Sequence, residues 1–350
     1  MTISFEEKYQ AIINKDSSYE GLFFTAVKTT GIFCRPVCTA RKPKVENVEF
    51  FSTINEALNH GYRPCKLCRP LEQTGKLPCG LQDLLDHLIK HPEDKVKDSD
   101  LIARGLMPNT VRRWFKKNYG MTFHDYQRKL RLNLAYKQLS AGKSVTHTAY
   151  DLGYESVSGF SENIQKVFEA APSQVPDKEI LNVIRITTPL GPMIAAATGK
   201  GILMLEFADR KGLEDYLKKI SNRLSSTILP GYNDHLVSLE QQLISYFQGK
   251  QKTFNLSLQA IGTSFQQEVW GSLVTIPYGS TRTYSTQAEL LGRKSAVRAV
   301  AAANGQNRIA IVIPCHRVIG KNGELTGYAG GVHRKKWLLD HEQGVMSLGF

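Results

Sequence analysis

The chain has 350 residues, 41% of them apolar, and its 45 Lys and Arg against 32 Asp and Glu leave a net charge of +13. That length suits two or three domains of roughly 100–200 residues each, and the charge asks for an anionic partner, nucleic acid before a membrane surface. No stretch reaches the ~18 apolar residues of a membrane-spanning helix, and Met1 to Lys8 hold no basic stretch followed by an apolar core. A cytoplasmic protein without membrane contact is expected, where thiols stay reduced. Its six Cys, at 34, 38, 65, 68, 79 and 315, should then serve metal or chemistry rather than disulfides.

The elements predict a multidomain α+β chain. A small zinc domain covers residues 1–78, and an all-α segment with two helix-turn-helix motifs covers 79–175. An α/β scaffold comes next over 179–262, then a helical active-site segment with a third helix-turn-helix over 263–350.

In the first segment, Cys34-x3-Cys38 and Cys65-x2-Cys68 are two close pairs with 26 residues between them. Both lie in turn-like sequence, beside Gly31 and Pro36 and beside Gly61, Pro64 and Pro70. Paired thiolates at such spacing suit tetrahedral zinc. Cys79 falls outside the pattern and reads as a free structural thiol. Arg35, Arg41, Lys42, Lys44, Arg63, Lys66 and Arg69 crowd the ligands. They moderate the negative charge of a four-thiolate zinc site and offer phosphate contacts, Arg35 and Arg63 foremost. The string from Phe23 to Pro36, continued at Arg63-Pro64-Cys65-Lys66-Leu67-Cys68, resembles the methylphosphotriester-acceptor domain of the Ada family. The resemblance implies that Cys34 takes a methyl group from a phosphotriester while Cys38, Cys65 and Cys68 complete the Zn2+ site. Methylation would remove one negative charge, so affinity for DNA should rise.

Leu81, Leu84, Leu85, Leu88 and Ile89 then recur at helical spacing. His87 and His91 share a face of that helix, but no third ligand is evident, and they read as an ordinary surface pair. Asp98 or Ser99 is expected to cap a short helix through Arg104, and Pro108 opens a second through about Asn118. A second motif starts at Ser144 or Thr146, turns at Gly153 and ends in a helix from about Ser156 to Phe168. From Leu101 to Lys143 the only acid is Asp125, against ten Lys and Arg; a solvated face usually mixes both signs, so phosphate contact is favoured. Ala149-Tyr150-Asp151-Leu152-Gly153-Tyr154-Glu155-Ser156 through Ser161 resembles the AraC-type DNA-binding domain, with Ile164 where that family often has an aromatic. Base-reading candidates are Asn109, Arg112 and Arg113 in the first motif and Ser158, Glu162 and Asn163 in the second. Pro172 and Pro176 end the helices at what reads as a domain boundary.

Strand-like runs come next, Ile184 to Thr188 and Ile202 to Phe207, then a helix from Leu236 to Phe247. Thr283 to Leu291, a turn at Gly292 and Ser295 to Ala303 make the third helix-turn-helix. Its last helix is nearly all small residues apart from Arg298, which suits either close approach to DNA or a core position. The apolar run Ile309 to Ile313 reads as a short core strand that stops at Pro314. Cys315 and His316 come directly after it, a thiol beside an imidazole that can help ionise it.

Phe265 to Trp270, Ile276-Pro277-Tyr278-Gly279, Thr283-Tyr284-Ser285, Ala296 to Val300, Pro314-Cys315-His316-Arg317-Val318-Ile319-Gly320 and Gly327 to Gly331 resemble the methylated-DNA–protein-cysteine methyltransferases. With the upstream segments, the resemblance to the Ada family spans essentially the whole chain. It implies that Cys315 is the nucleophile toward O6-methylguanine and O4-methylthymine. His316 takes its proton through a water, Glu342 orients the imidazole and Asn307 braces the turn. Arg298 fills the gap left by a flipped base, Tyr284 helps rotate its phosphate and protonate the leaving base, and Arg317 joins the DNA contacts. Arg308 stands where that family usually has Pro. A monomer is expected that acts on alkylated duplex DNA and promoter sites, touches RNA polymerase when activating, and is consumed by one methyl per acceptor. The alternative is an AraC-type zinc-dependent regulator without methyl transfer.

Overall fold

Two short hairpin strands and their neighbours build the first body, seen in a computed structural model that describes residues 3–16, 19, 22–71, 80–210 and 212–345. Cys79 lies outside the described residues. Helix α1 (Phe5–Asn14) is capped by Ser4, whose hydroxyl accepts from the Glu7 amide. Strands β1 (Phe24–Val27), β2 (Ile32–Cys34), β3 (Val48–Phe51) and β4 (Arg63–Pro64) form a sheet in the order β3-β1-β2-β4, with α2 (Ile54–Asn59) between β3 and β4. Phe33, Phe51, Ala26 and Ala57 form one small core and Ala11, Ile12, Phe23 and Val48 a second. In a body this small a bound metal adds folding energy to such modest cores.

Helices α3 (Leu81–Lys90), α4 (Asp98–Ala103), α5 (Pro108–Tyr119), α6 (Phe123–Ser140), α7 (Val145–Asp151) and α8 (Val157–Phe168) come next. The predicted spacing holds for Leu81, Leu84, Leu85 and Leu88, all buried with Val111, Phe115 and Phe123. Neither Asp98 nor Ser99 caps α4: Asp98 is its first residue, and Asp100 Oδ2 instead accepts from the Lys97 amide at 2.7 Å. Ser144 and Ser156 do cap α7 and α8, accepting from His147 and Gly159 amides. The helix pairs α4–α5 and α7–α8 are the two helix-turn-helix motifs, joined by the 18-residue α6.

Strands β5 (Ile180–Thr188), β6 (Gly191–Thr198), β7 (Gly201–Phe207) and β8 (Thr227–Pro230) form a second sheet in the order β7-β6-β5-β8, with α9 (Leu213–Leu224) before β8 and α10 (Asp234–Phe247) after it. Alternation fails along β7, where every residue is buried, Glu206 included beside Arg210; a strand covered on both faces does not alternate.

The last body holds α11 (Ser264–Val274), β9 (Arg282–Thr283), α12 (Tyr284–Leu290), α13 (Val297–Gly305), β10 (Val318–Ile319) and α14 (Val332–Glu342), with β9 and β10 paired in parallel. Ile309 to Ile313 is buried but is not the predicted strand. The run turns instead, with Val312 N–H on the Ala310 carbonyl at 2.8 Å and Ile311 at φ +70°. An apolar run alone does not distinguish a strand from a buried turn. A β-branched residue in the left-handed region stores about 1–3 kcal/mol of strain, which its surroundings must hold.

Candidate active site and metal centre

Parallel pairing of β2 with β4, Ile32 against Arg63 and Phe33 against Pro64, carries the two cysteine pairs to one end of the sheet. The Cys65 amide donates to the Phe33 carbonyl at 3.0 Å, and the Cys38 amide to Arg35 at 3.1 Å. The four Sγ atoms of Cys34, Cys38, Cys65 and Cys68 all lie within 4.8 Å of one another. The Sγ atoms of Cys38 and Cys65 are 3.9 Å apart, close to the edge of about 3.8 Å for a zinc tetrahedron with 2.3 Å bonds. The donor set therefore fits Zn2+. Crowding also shows in the protons: the hydrogen bond with Cys68 pushes the Cys34 thiol far up, burial pushes Cys38 up to about 11, and the bond from Cys34 holds Cys68 down near 5. A dication is what lets four thiolates share this space.

Cys68 is half-buried and Cys38 and Cys65 are buried, while Cys34 is buried in part. It opens on a basic cleft of about 1110 Å³ lined by Arg35, Arg41, Lys42, Lys44, Arg63 and Lys66. Arg63 is exposed. Arg35 is tied back, its amide on Cys68 Sγ at 3.3 Å and its guanidinium on the Arg69 carbonyl at 3.1 Å.

In the helical segment, Asn109, Arg112, Arg113, Ser158 and Glu162 are exposed and Asn163 is half-buried. Arg112 is paired with Asp98 of α4 and bonded to Asn109 Oδ1 at 3.1 Å. Asn163 turns its amide onto its own helix, to Gly159 at 3.0 Å. The rings of His87 and His91 lie 5.1 Å apart and each faces a carboxylate, Asp94 and Glu93. Among the described residues only the four cysteines gather as a metal-binding group.

Cys315 begins a short 3-10 turn, Cys315–Arg317, and is half-buried. Asn307 holds the strained turn before it: Oδ1 accepts from Ile309 N–H at 2.9 Å, and Nδ2 donates to the Ile313 carbonyl at 2.8 Å and Cys315 Sγ at 3.2 Å. His316 is fully buried with Nε2 on Glu342 Oε1 at 2.9 Å. A carboxylate accepts, so Nε2 carries the proton and Nδ1 is the basic atom. Nδ1 is buried and meets no protein partner. Burial lowers the His316 pKa below its ordinary value despite Glu342, so the imidazole stays neutral and able to take a proton.

Arg317 is not on a DNA-facing surface. Its guanidinium is buried, giving Nε to Glu342 Oε2 at 2.8 Å, Nη2 to Oε1 at 2.9 Å and Nη1 to the Ile276 carbonyl at 2.6 Å. A buried guanidinium costs less beside a carboxylate, and its fork matches both oxygens of Glu342. Its work is to hold Glu342.

Tyr284 is half-buried, its hydroxyl 3.4 Å from the Thr326 carbonyl, and burial and Cys315 together raise its pKa. Arg298 stands exposed on α13. That helix is fixed from behind by Trp270 Nε1 on the Ala303 carbonyl at 2.8 Å. Asn304 on the same helix gives its buried amide to Gln287 Oε1 at 2.7 Å.

One residue escaped the sequence reading. Lys335 of α14 is fully buried, donates to the Thr326 carbonyl at 2.8 Å and lies 5.7 Å over the Tyr284 ring. Burial lowers its pKa to about 8, against a raising effect from Cys315. The available signal was its spacing of seven from Glu342, two helical turns on one face, with Leu338 and Leu339 between.

Four family models match. They are the metal binding domain of Ada (residues 7–71), a helix-turn-helix domain (103–177), and the ribonuclease-like (184–260) and DNA-binding (264–344) domains of 6-O-methylguanine DNA methyltransferase. The "Bifunctional transcriptional activator/DNA repair enzyme Ada" of Escherichia coli is 32% identical over 350 residues, covering 96% of each chain. A methylated-DNA–protein-cysteine methyltransferase of Methanosarcina barkeri is 43% identical over 159 residues, 45% of this chain and 94% of its own. A crystal structure of Mycobacterium tuberculosis OGT in complex with DNA is 40% identical, covers 47% of this chain and 93% of that one, and has a TM-score of 0.41. Since the Escherichia coli relative is matched along nearly all of both chains, this protein belongs to the Ada family.

Proposed function

We propose that the protein repairs alkylated duplex DNA by moving methyl groups onto two of its own cysteines, and that one of these transfers switches on promoter binding. Cys315 is the acceptor for O6-methylguanine and O4-methylthymine, and Cys34 for methylphosphotriesters. The observation that carries the reading is the half-buried Cys315 beside a buried neutral His316 that is itself held by Glu342.

At Cys315 the base must first leave the stack, because the methyl carbon is out of reach inside a duplex. Arg298, exposed on a helix of small residues, fills the vacated space, and Tyr284 turns the phosphate. His316 Nδ1 takes the thiol proton through a water. The thiolate attacks the methyl carbon; the S–C bond forms, the C–O6 bond breaks, and its electron pair returns to the guanine, which takes a proton from Tyr284. A thioether does not leave again, so each acceptor works once.

At the other site Cys34, Cys38, Cys65 and Cys68 hold Zn2+, which keeps the sulfurs ionised when bound. Arg63 and its basic neighbours seat the phosphate. Methylated Cys34 is neutral, so the site repels phosphate less, and the helical segment is held on its promoter. There Asn109, Arg112, Arg113, Ser158 and Asn163 read bases, with RNA polymerase as the partner of the bound activator. We assign these roles to residues 1–78, 79–175 and, for the methyltransferase, 179–262 with 263–350, in a cytoplasmic monomer.

Intact mass after incubation with alkylated DNA tests the reading in wild type, Cys34→Ala and Cys315→Ala. Two added methyls in the wild type and one in each variant support it. None in the wild type leaves a zinc-dependent regulator of the AraC type as the better account.

A further inference from the structure

Val175, Ile180 and Leu229 belong to the same buried cluster as Leu132, Leu139 and Phe160 of the DNA-binding helices. The predicted boundary at Pro172 and Pro176 is therefore not a loose tether: it is a packed turn, with Val175 buried inside it. Among the described residues, 80–210 and 212–260 form one compact unit. The joint has polar specificity as well. Asn182 of β5 gives Nδ2 to Oδ1 of Asn133 on α6 at 3.1 Å, and both side chains are buried. Gly231, just past β8, lies so close that a Cβ there would stand 2.4 Å from Asn133 Nδ2. Arg185 of β5 stacks over Trp114 of α5 at 5.5 Å. The short strand β8 is an edge of its sheet, and an open edge is a liability unless something covers it.

We propose that the first part of the methyltransferase is a fixed intramolecular partner of the DNA-binding helices, and that the two engage DNA as one body through the Asn133–Asn182 joint. The joint uses the inner sides of α5 and α6. It leaves Asn109, Arg112 and Arg113 exposed, so docking and base reading are compatible. The β5–β8 sheet, which brings no chemistry of its own, thereby gains a role in the activator.

The test is Asn182→Asp in the full chain at pH 7, with hydrogen–deuterium exchange as the readout. On an exposed strand the exchange of amide for carboxylate is nearly neutral; inside the joint it sets an unpaired charge against Asn133 Oδ1. We expect amides of α6 and β8 to exchange about tenfold faster or more, the size set by a buried unpaired charge. Exchange unchanged in both elements overturns the proposal. If Asn182→Asp also loses methyl transfer to Cys315, the chain has unfolded globally, and Arg185→Leu decides: faster exchange confined to α5, α6 and β5 supports the joint, and wild-type exchange overturns it. In the wild type, duplex DNA should slow exchange in β8 together with α5 and α8. Slowing confined to the helices overturns the claim that they act as one body.

Discussion

Nε2 of His316 and Oε1 of Glu342 meet at 2.9 Å with both side chains fully buried. Glu342 is saturated with donors: Arg317 reaches both of its oxygens, and the Gly279 amide reaches Oε2 at 3.1 Å. Burial alone raises its carboxyl, but the hydrogen bonds from His316 and Arg317 outweigh that and hold it well below the usual carboxylate range. One charge thus fixes the imidazole tautomer and neutralises a buried guanidinium.

Glu342→Gln removes that charge and keeps the shape. Methyl transfer to Cys315 should slow by about a hundredfold or more, the usual worth of a positioned acid–base pair. Stability should fall by about 3–5 kcal/mol, because the Arg317 guanidinium is left buried and unpaired. Single-turnover transfer and urea unfolding check the two effects. Wild-type transfer in a folded variant removes Glu342 from the mechanism.

The pH profile is set by His316, whose pKa lies below the ordinary 6.5 because of burial. A lowered base stays neutral further into acid, so transfer should hold level as pH falls to 6.5 and decline only beneath it. Stability has the same sign. Between the folded and unfolded pKa values the unfolded chain binds more protons, so the contribution is present above 6.5 and is lost as pH falls through the folded value. Glu342, also depressed, adds a second loss at lower pH. Transfer rates and urea midpoints from pH 8 to pH 4 test this. A rate that halves at or above 6.5 contradicts it.

The metal site is legible in the sequence because ligand spacing is local and hard to mimic: Cys34 with Cys38 and Cys65 with Cys68 need only one parallel strand pair to converge. The candidate nucleophile Cys315 is marked in the sequence by its neighbours Pro314, His316 and Arg317. Arg317 is not, because its partner Glu342 lies 25 residues on, and a basic residue beside a DNA-directed nucleophile reads as a phosphate contact until that partner is seen. The run Ile309–Ile313 misleads because burial and strand pairing are separate properties, and Asn307 satisfies the backbone that a sheet would otherwise pair. The Asn133–Asn182 joint is hidden for another reason. Prolines mark where helices stop, not whether the next strand packs against them.

Arg298→Ala separates base extrusion from chemistry. The side chain is exposed, so folding should be untouched. Transfer from alkylated duplex should drop about tenfold to a hundredfold, since unstacking a base costs a few kcal/mol that the side chain offsets. Transfer from the free alkylated base should stay within about twofold, as nothing needs flipping there. An equal loss on both substrates would place Arg298 in the chemical step instead.

Lys335 is a buried charge that interacts electrostatically with Cys315, and its burial has two opposed consequences. An ammonium beside Cys315 favours the thiolate over the thiol, so it aids attack. The same ammonium is fully buried, and its pKa falls from 10.5 to about 8. Between those values the unfolded chain holds the proton more tightly, so stability should rise as pH climbs from about 8 toward 10.5. Lys335→Met keeps the stem volume and deletes the charge. It should slow transfer at pH 7 by about tenfold, the effect of roughly one unit in the thiol pKa, and abolish the alkaline rise in the urea midpoint. Arg at this position should not restore the rate, because a guanidinium does not fit a fully enclosed ammonium site with one carbonyl, Thr326, to receive it. If Lys335→Met transfers at the wild-type rate while the alkaline rise disappears, Lys335 is a buried structural cation and the thiolate is sustained by His316 and Asn307 alone.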